Sequence, residues 1–124
     1  MNPGLTKTFT AGGAISKRRL LKLSADGTVI QATGATDAII GVSDMSADVA
    51  NIGDRVDVRL GGIAEIDVGG AITRGALITS DANGKAVAAA PAAGVNNRTA
   101  GVGFVTYANG DIGDFQLTIG SLQG

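Results

Sequence analysis

Histidine and cysteine are both absent from the 124 residues, so carboxylates, hydroxyls and basic side chains must do whatever chemistry the chain does. The missing imidazole removes the commonest general base at neutral pH. Zinc sites built on Cys and His, and Ser–His or Cys–His nucleophiles, are excluded with it. Two carboxylates can run acid–base chemistry alone. Here ten of the eleven acidic residues are Asp, and most fall in turns or at strand ends, where Asp bonds to its local backbone. Asp44, Asp48 and Asp54 could offer oxygens to calcium, but their spacing fits no EF-hand loop. These residues predict a protein that is not an enzyme and holds no metal and no cofactor.

Three other groupings carry less. Gly101-Val102-Gly103-Phe104 opens like a phosphate-binding loop but lacks the final glycine, the lysine and a following helix. Asn97-Arg98-Thr99 fits the glycosylation triplet without a secretion signal beside it. Lys17-Arg18-Arg19 with Lys22 is the densest like-charge patch. It reads either as a solvated strand edge, where basic residues deter edge-to-edge pairing, or as a docking patch for an acidic protein surface. A net charge of −1 argues against a nucleic-acid partner that depends on phosphate neutralisation. No apolar run approaches the ~20 residues of a membrane span. The absence of cysteine suits assembly in a reducing cytoplasm.

The elements that would position these residues are written twice. Gly12-Gly13-Ala14-Ile15 returns 57 positions later as Gly69-Gly70-Ala71-Ile72 (12 to 69), Leu20-Leu21 as Leu77-Ile78, and Asp26-Gly27 as Asn83-Gly84. Gly41-Val42 matches Gly101-Val102, and Ile52-Gly53-Asp54 is read as matching Ile112-Gly113-Asp114. Two units result, about 11–67 and 68–120, with residues 1–10 as an extended N-terminal arm outside them. Two copies are too few for a solenoid, so the expectation is one small domain, residues 11–124, with internal pseudo-symmetry.

The reading is β almost throughout: short runs rich in β-branched residues, with turn signals every eight to twelve positions. Asp26-Gly27, Asn83-Gly84 and Asn109-Gly110 are tight-turn dipeptides. Arg55 to Leu60 alternates strictly, with Val56, Val58 and Leu60 on one face. The same logic sets Ala64, Ile66 and Val68 opposite Ile63, Glu65 and Asp67. Residues 45–50 read as one helical turn behind Asp44 as a cap, and residues 95–99 as the tip of a loop. Twenty glycines and only four aromatics, Phe9, Phe104, Tyr107 and Phe115, leave Ala, Val and Ile to fill the interior. The predicted fold is all-β, a small single-domain β-barrel or pair of packed sheets.

Taken together, FTAGGAISKRRLLKLSADGTVIQAT, IIGVSDMSADVANIGDRVDVRLGGIAEIDVGGAI and the second pass through RGALITSDANGKAV and TAGVGFVTYANGDIGD resemble the capsid decoration (cement) proteins of tailed bacteriophages. The likeness spans nearly the whole chain and rests on glycine punctuation. One departure is Arg18-Arg19, where that family more often has a glycine-acidic turn of the kind Arg74-Gly75 approximates. The resemblance implies a compact β-barrel or tulip-like fold with an N-terminal arm, and a structural protein on the outside of an expanded capsid. It would bridge neighbouring major capsid protein subunits as a homotrimer, with no nucleic-acid or membrane partner. Leu5, Lys7 and Phe9 in the arm are the expected shell contacts, with Arg18 and Arg19 as docking charges. The rival readings are a tail or fibre module that binds surface carbohydrate, and a small enzyme domain using Asp and Ser.

Overall fold

Short alternating strands separated by glycine turns cannot bury an apolar face alone, and here they close on themselves. The computed structural model describes residues 6–44, 49–91 and 93–123. In the first half, β1 (Thr6–Ala11), β3 (Leu20–Ala25), β4 (Thr28–Gln31), β5 (Ile39–Ser43) and β7 (Arg55–Arg59) form a closed barrel in the order β1-β4-β3-β5-β7. β2 (Ile15–Ser16) and β6 (Val49–Ala50) pair beside it. In the second half, β8 (Gly62–Asp67), β9 (Leu77–Ser80), β10 (Ala86–Ala88), β11 (Asn96–Gly103) and β12 (Ile112–Gln123) form a sheet in the order β10-β9-β11-β12-β8. Its two edges meet at a parallel bridge between Val68 and Ala86, the counterpart of the parallel Ala11–Val29 pair between β1 and β4. The chain is therefore two matching β-barrels in series.

The match extends to individual hydrogen bonds. Ala11 N–H donates to the Asp54 carbonyl and Gly53 N–H to Ala11; Val68 donates to Asp111 and Gly110 to Val68, all at 2.7–2.9 Å. Asp54 Oδ2 accepts from Asn51 N–H at 2.9 Å, and Asp111 Oδ2 from Ala108 N–H at 2.8 Å. The partner of Ile52-Gly53-Asp54 is thus Asn109-Gly110-Asp111, which corrects the expected match to residues 112–114. Pairing of Leu21 with Gly41 and of Ile78 with Gly101 upholds the Gly41–Gly101 match. The spacing between equivalents widens to 60 there (41 to 101) and returns to 57 beyond, because the insertions in the two halves fall in different loops.

Three further expectations change. Residues 6–10 are not an arm: β1 pairs antiparallel with β7 from Thr6–Arg59 to Thr10–Arg55, as β8 pairs with β12 from Ile63–Gln116 to Asp67–Ile112. The repeat therefore begins at β1. Threonine-rich alternation supplied the strand, and the chain's own β7 supplied the edge. Residues 95–99 are not a loop tip, since Asn96–Thr99 pairs with Gly120–Gln123. Val49 and Ala50 are a strand and not the end of a helical turn; residues 45–48 of that turn lie outside the described residues.

Each half has its own core. Ala11, Ile15, Leu21, Val29, Ala50, Val56 and Val58 fill the first barrel. In the second, Ala50 and Val56 become Tyr107 and Gly113, exchanging a small and a medium residue for a large one and none. A Cβ on Gly113 would lie 2.7 Å from the Tyr107 ring and 2.8 Å from Phe115, and the two rings are 5.1 Å apart. The alternation predicted for β7 and β8 holds: Val56, Val58, Ala64 and Ile66 are buried while Ile63 and Glu65 are exposed. Outward-facing Leu20, Ala32, Ile39 and Val42 of the first barrel join the second barrel's cluster, so the two units share one buried seam.

Candidate docking surface

The tight turn Lys17–Leu20 sits at this seam. Arg18 takes φ 59, the left-handed region, where its equivalent Gly75 takes φ 80. For a residue with a Cβ this conformation costs roughly 1–2 kcal/mol, so compensating contacts are needed, and Asp67 provides them. Arg18 Nε donates to Asp67 Oδ1 at 2.8 Å and Arg19 Nε to Asp67 Oδ2 at 3.1 Å. The Asp67 N–H donates to the Arg18 carbonyl at 3.0 Å, and Arg19 Nη1 reaches the Asn83 carbonyl at 3.0 Å. Burial pushes the Asp67 carboxyl up, but the hydrogen bonds and charges of Arg18 and Arg19 outweigh it and hold the group below its ordinary value. Two of the expected docking charges thus clasp one barrel to the other.

Lys22 is engaged likewise. Its ammonium lies 3.2 Å from Asp37 Oδ2, which also accepts from the backbone N–H groups of Thr33 and Gly34. Burial raises the Asp37 carboxyl, and the bonds from Thr33 and Lys22 bring it below the usual value.

Lys7 and Phe9 lie together on β1, far from the arginines in role. The Lys7 ammonium lies 5.8 Å from the Phe9 ring centre, within cation–π range. They line an open groove with Leu23 and the hairpin Ser24–Gly27. Leu5 lies outside the described residues. The sequence reading passed over Leu23, although a leucine opposite a turn in an otherwise polar hairpin was a legible signal.

No cluster of potential metal ligands occurs among the described residues. Of the three Asp residues weighed for calcium, Asp54 caps Asn51, Asp44 accepts from Arg59 at 2.8 Å, and Asp48 lies outside the described residues. The run from Gly101 to Gly103 is strand, and Asn97 is buried within β11.

Two barrels of one pattern, joined through a clasped turn and ending in an open groove, define a tandem β-barrel module. Its fold is similar to a solved structure, the head fiber gp8.5 N base in bacteriophage phi29, with a TM-score of 0.66 and 17% identity over 97% of this chain and 98% of that one. No family model and no curated protein matches the sequence.

Proposed function

We propose that the protein is a non-enzymatic structural component of a phage virion. In this reading it sits on the outside of the expanded capsid in three copies and steadies neighbouring major capsid subunits. The observation that carries the virion assignment is the end-to-end likeness to a head fibre base; the place on the shell is drawn from the decoration-protein resemblance of the sequence. A fold of this kind serves as a clamp through surface complementarity. Several weak contacts made together gain from high effective concentration, and binding one shell arrangement alone would stabilise that arrangement.

Shell contact is assigned to Leu5 and the segment ahead of β1. Arg18 and Arg19 are occupied by Asp67. The test is cosedimentation of the purified protein with expanded, undecorated shells. Deleting residues 2–5, which leaves β1 intact, should weaken attachment at least tenfold; unchanged attachment overturns the assignment. A second reading, the foot of a head fibre, draws on the same structural neighbour. Electron microscopy of the loaded shells separates them, as compact knobs against elongated projections.

A further inference from the structure

Because the two barrels match strand for strand, the second reveals what the first is shaped to receive. In the second barrel, Ile66, Ala100 and Leu117 are buried in one cluster with Leu20, Ala32, Ile39 and Val42 of the first. Their equivalents in the first barrel are Phe9, Ile40 and Leu60, which are the partly buried apolar residues around its core. The hairpins differ in the same sense. Ser80 and Gly84 are buried, Gly84 lying against Leu20 of the first barrel, whereas Leu23, 45% exposed, and Gly27 face the open groove.

The backbone repeats the contrast. In the second barrel the turn is wedged between strand and hairpin: Asp67 N–H donates to Arg18, and Leu20 N–H donates to Gly84, at 3.0 and 2.8 Å. In the first barrel the equivalent groups, Thr10 N–H and the Gly27 carbonyl, bond each other at 3.0 Å. A wedge entering there would exchange one hydrogen bond for two.

The second barrel carries the matching wedge. Gly75 and Leu77 hold the positions of Arg18 and Leu20, and Leu77, Ala89 and Val102 remain only partly buried. Beside them Phe104 and Val105 are 50% and 52% exposed. The charges change in step: Arg18 and Arg19 become Gly75 and Ala76 while their partner Asp67 becomes Thr10, so all members of that ion cluster are lost together and none is left without its partner. Lys7, which replaces the buried Ala64, has a stem long enough to lie over apolar surface with its ammonium in water.

We infer that a second copy of this chain docks its Thr73–Leu77 turn, flanked by Phe104, against the Phe9–Leu23 groove of the first, repeating between copies the contact already made between barrels. The interface is head to tail, which closes into a ring or continues as a filament according to the rotation per step. It stands on the comparison of the two barrels and does not depend on the shell reading.

Two surface substitutions test it, Leu23→Glu at the groove and Phe104→Glu at the wedge, with Ala25→Asp as a second groove variant and circular dichroism to verify folding. By analytical ultracentrifugation the unsubstituted protein should associate as concentration rises, and each variant should sediment as one chain. An equimolar mixture of Leu23→Glu and Phe104→Glu should form pairs, since each retains the end that the other lacks. A monomeric unsubstituted protein at all concentrations, variants that still assemble alone, or a mixture that stays monomeric would each overturn the inference.

Discussion

Arg18 and Asp67 are bonded twice, through side chains at 2.8 Å and through the Asp67 N–H to the Arg18 carbonyl at 3.0 Å. The pair joins a turn of the first barrel to the last residue of the second barrel's opening strand. An arginine therefore stands where the repeat has glycine: its head group bridges barrels, and its backbone adopts the glycine conformation to do so.

Separating those two roles is possible by substitution. Arg18→Gly removes the ion pair but suits the left-handed backbone, whereas Arg18→Ala loses the pair and keeps the strain. Alanine should be the less stable variant, by about 1 kcal/mol, in urea or guanidinium unfolding. Equal stabilities would show that the turn relaxes.

Arg19→Met should lower stability by about 1.5–3 kcal/mol, the range for a lost hydrogen bond to a charged group. Attachment to shells should stay within twofold, with the same salt dependence as before. A selective loss of attachment at low salt would return Arg19 to the role of a docking charge.

Acid should loosen the seam. Asp67 and Asp37 titrate below their ordinary values in the folded chain, so the stability they contribute is complete above the unfolded value of about 3.9. It is lost as pH falls from there through their lower folded values. Asp67→Asn should flatten the fall in thermal midpoint below about pH 4 while lowering the midpoint at pH 7. A midpoint profile parallel to that of the unsubstituted protein would refute this.

The core exchange can be reversed. Gly113→Val alone drives a side chain into Tyr107 and Phe115. Tyr107→Ala alone leaves a void and removes the hydroxyl that receives the Asp114 N–H at 3.0 Å, at a cost of roughly 2–4 kcal/mol. The double variant restores the first barrel's small-and-medium pattern. It should exceed the sum of the single variants by at least about 1 kcal/mol, the coupling expected of touching residues.

Strand chemistry was legible along most of the chain. Val56, Val58, Ala64 and Ile66 alternate in sequence and are buried as that alternation requires. Glycine-marked turns recur between the two units, as Asp26-Gly27 does at Asn83-Gly84, and both glycines have positive φ. Residues 6–10 were misplaced because threonine-rich sequence matches the second unit only in backbone pairing. Phe9 and Ile66 occupy equivalent positions without resembling each other across their neighbours. Asn96–Thr99 was misread for a similar reason: polar side chains suggested a loop, and only the distant residues 120–123 made them a strand.

What sequence alone determined is the material: alternating β residues, two copies, and no histidine or cysteine for common catalytic and zinc chemistry. Local periodicity encodes those properties, and neighbours in the chain suffice to express them. Tertiary structure decided how the basic turn is used and which end stays open. Arg18 meets Asp67 across 49 residues, and the groove at Phe9 becomes meaningful beside its filled equivalent. Both depend on how one barrel seats against the next, a relation between surfaces that no local pattern records.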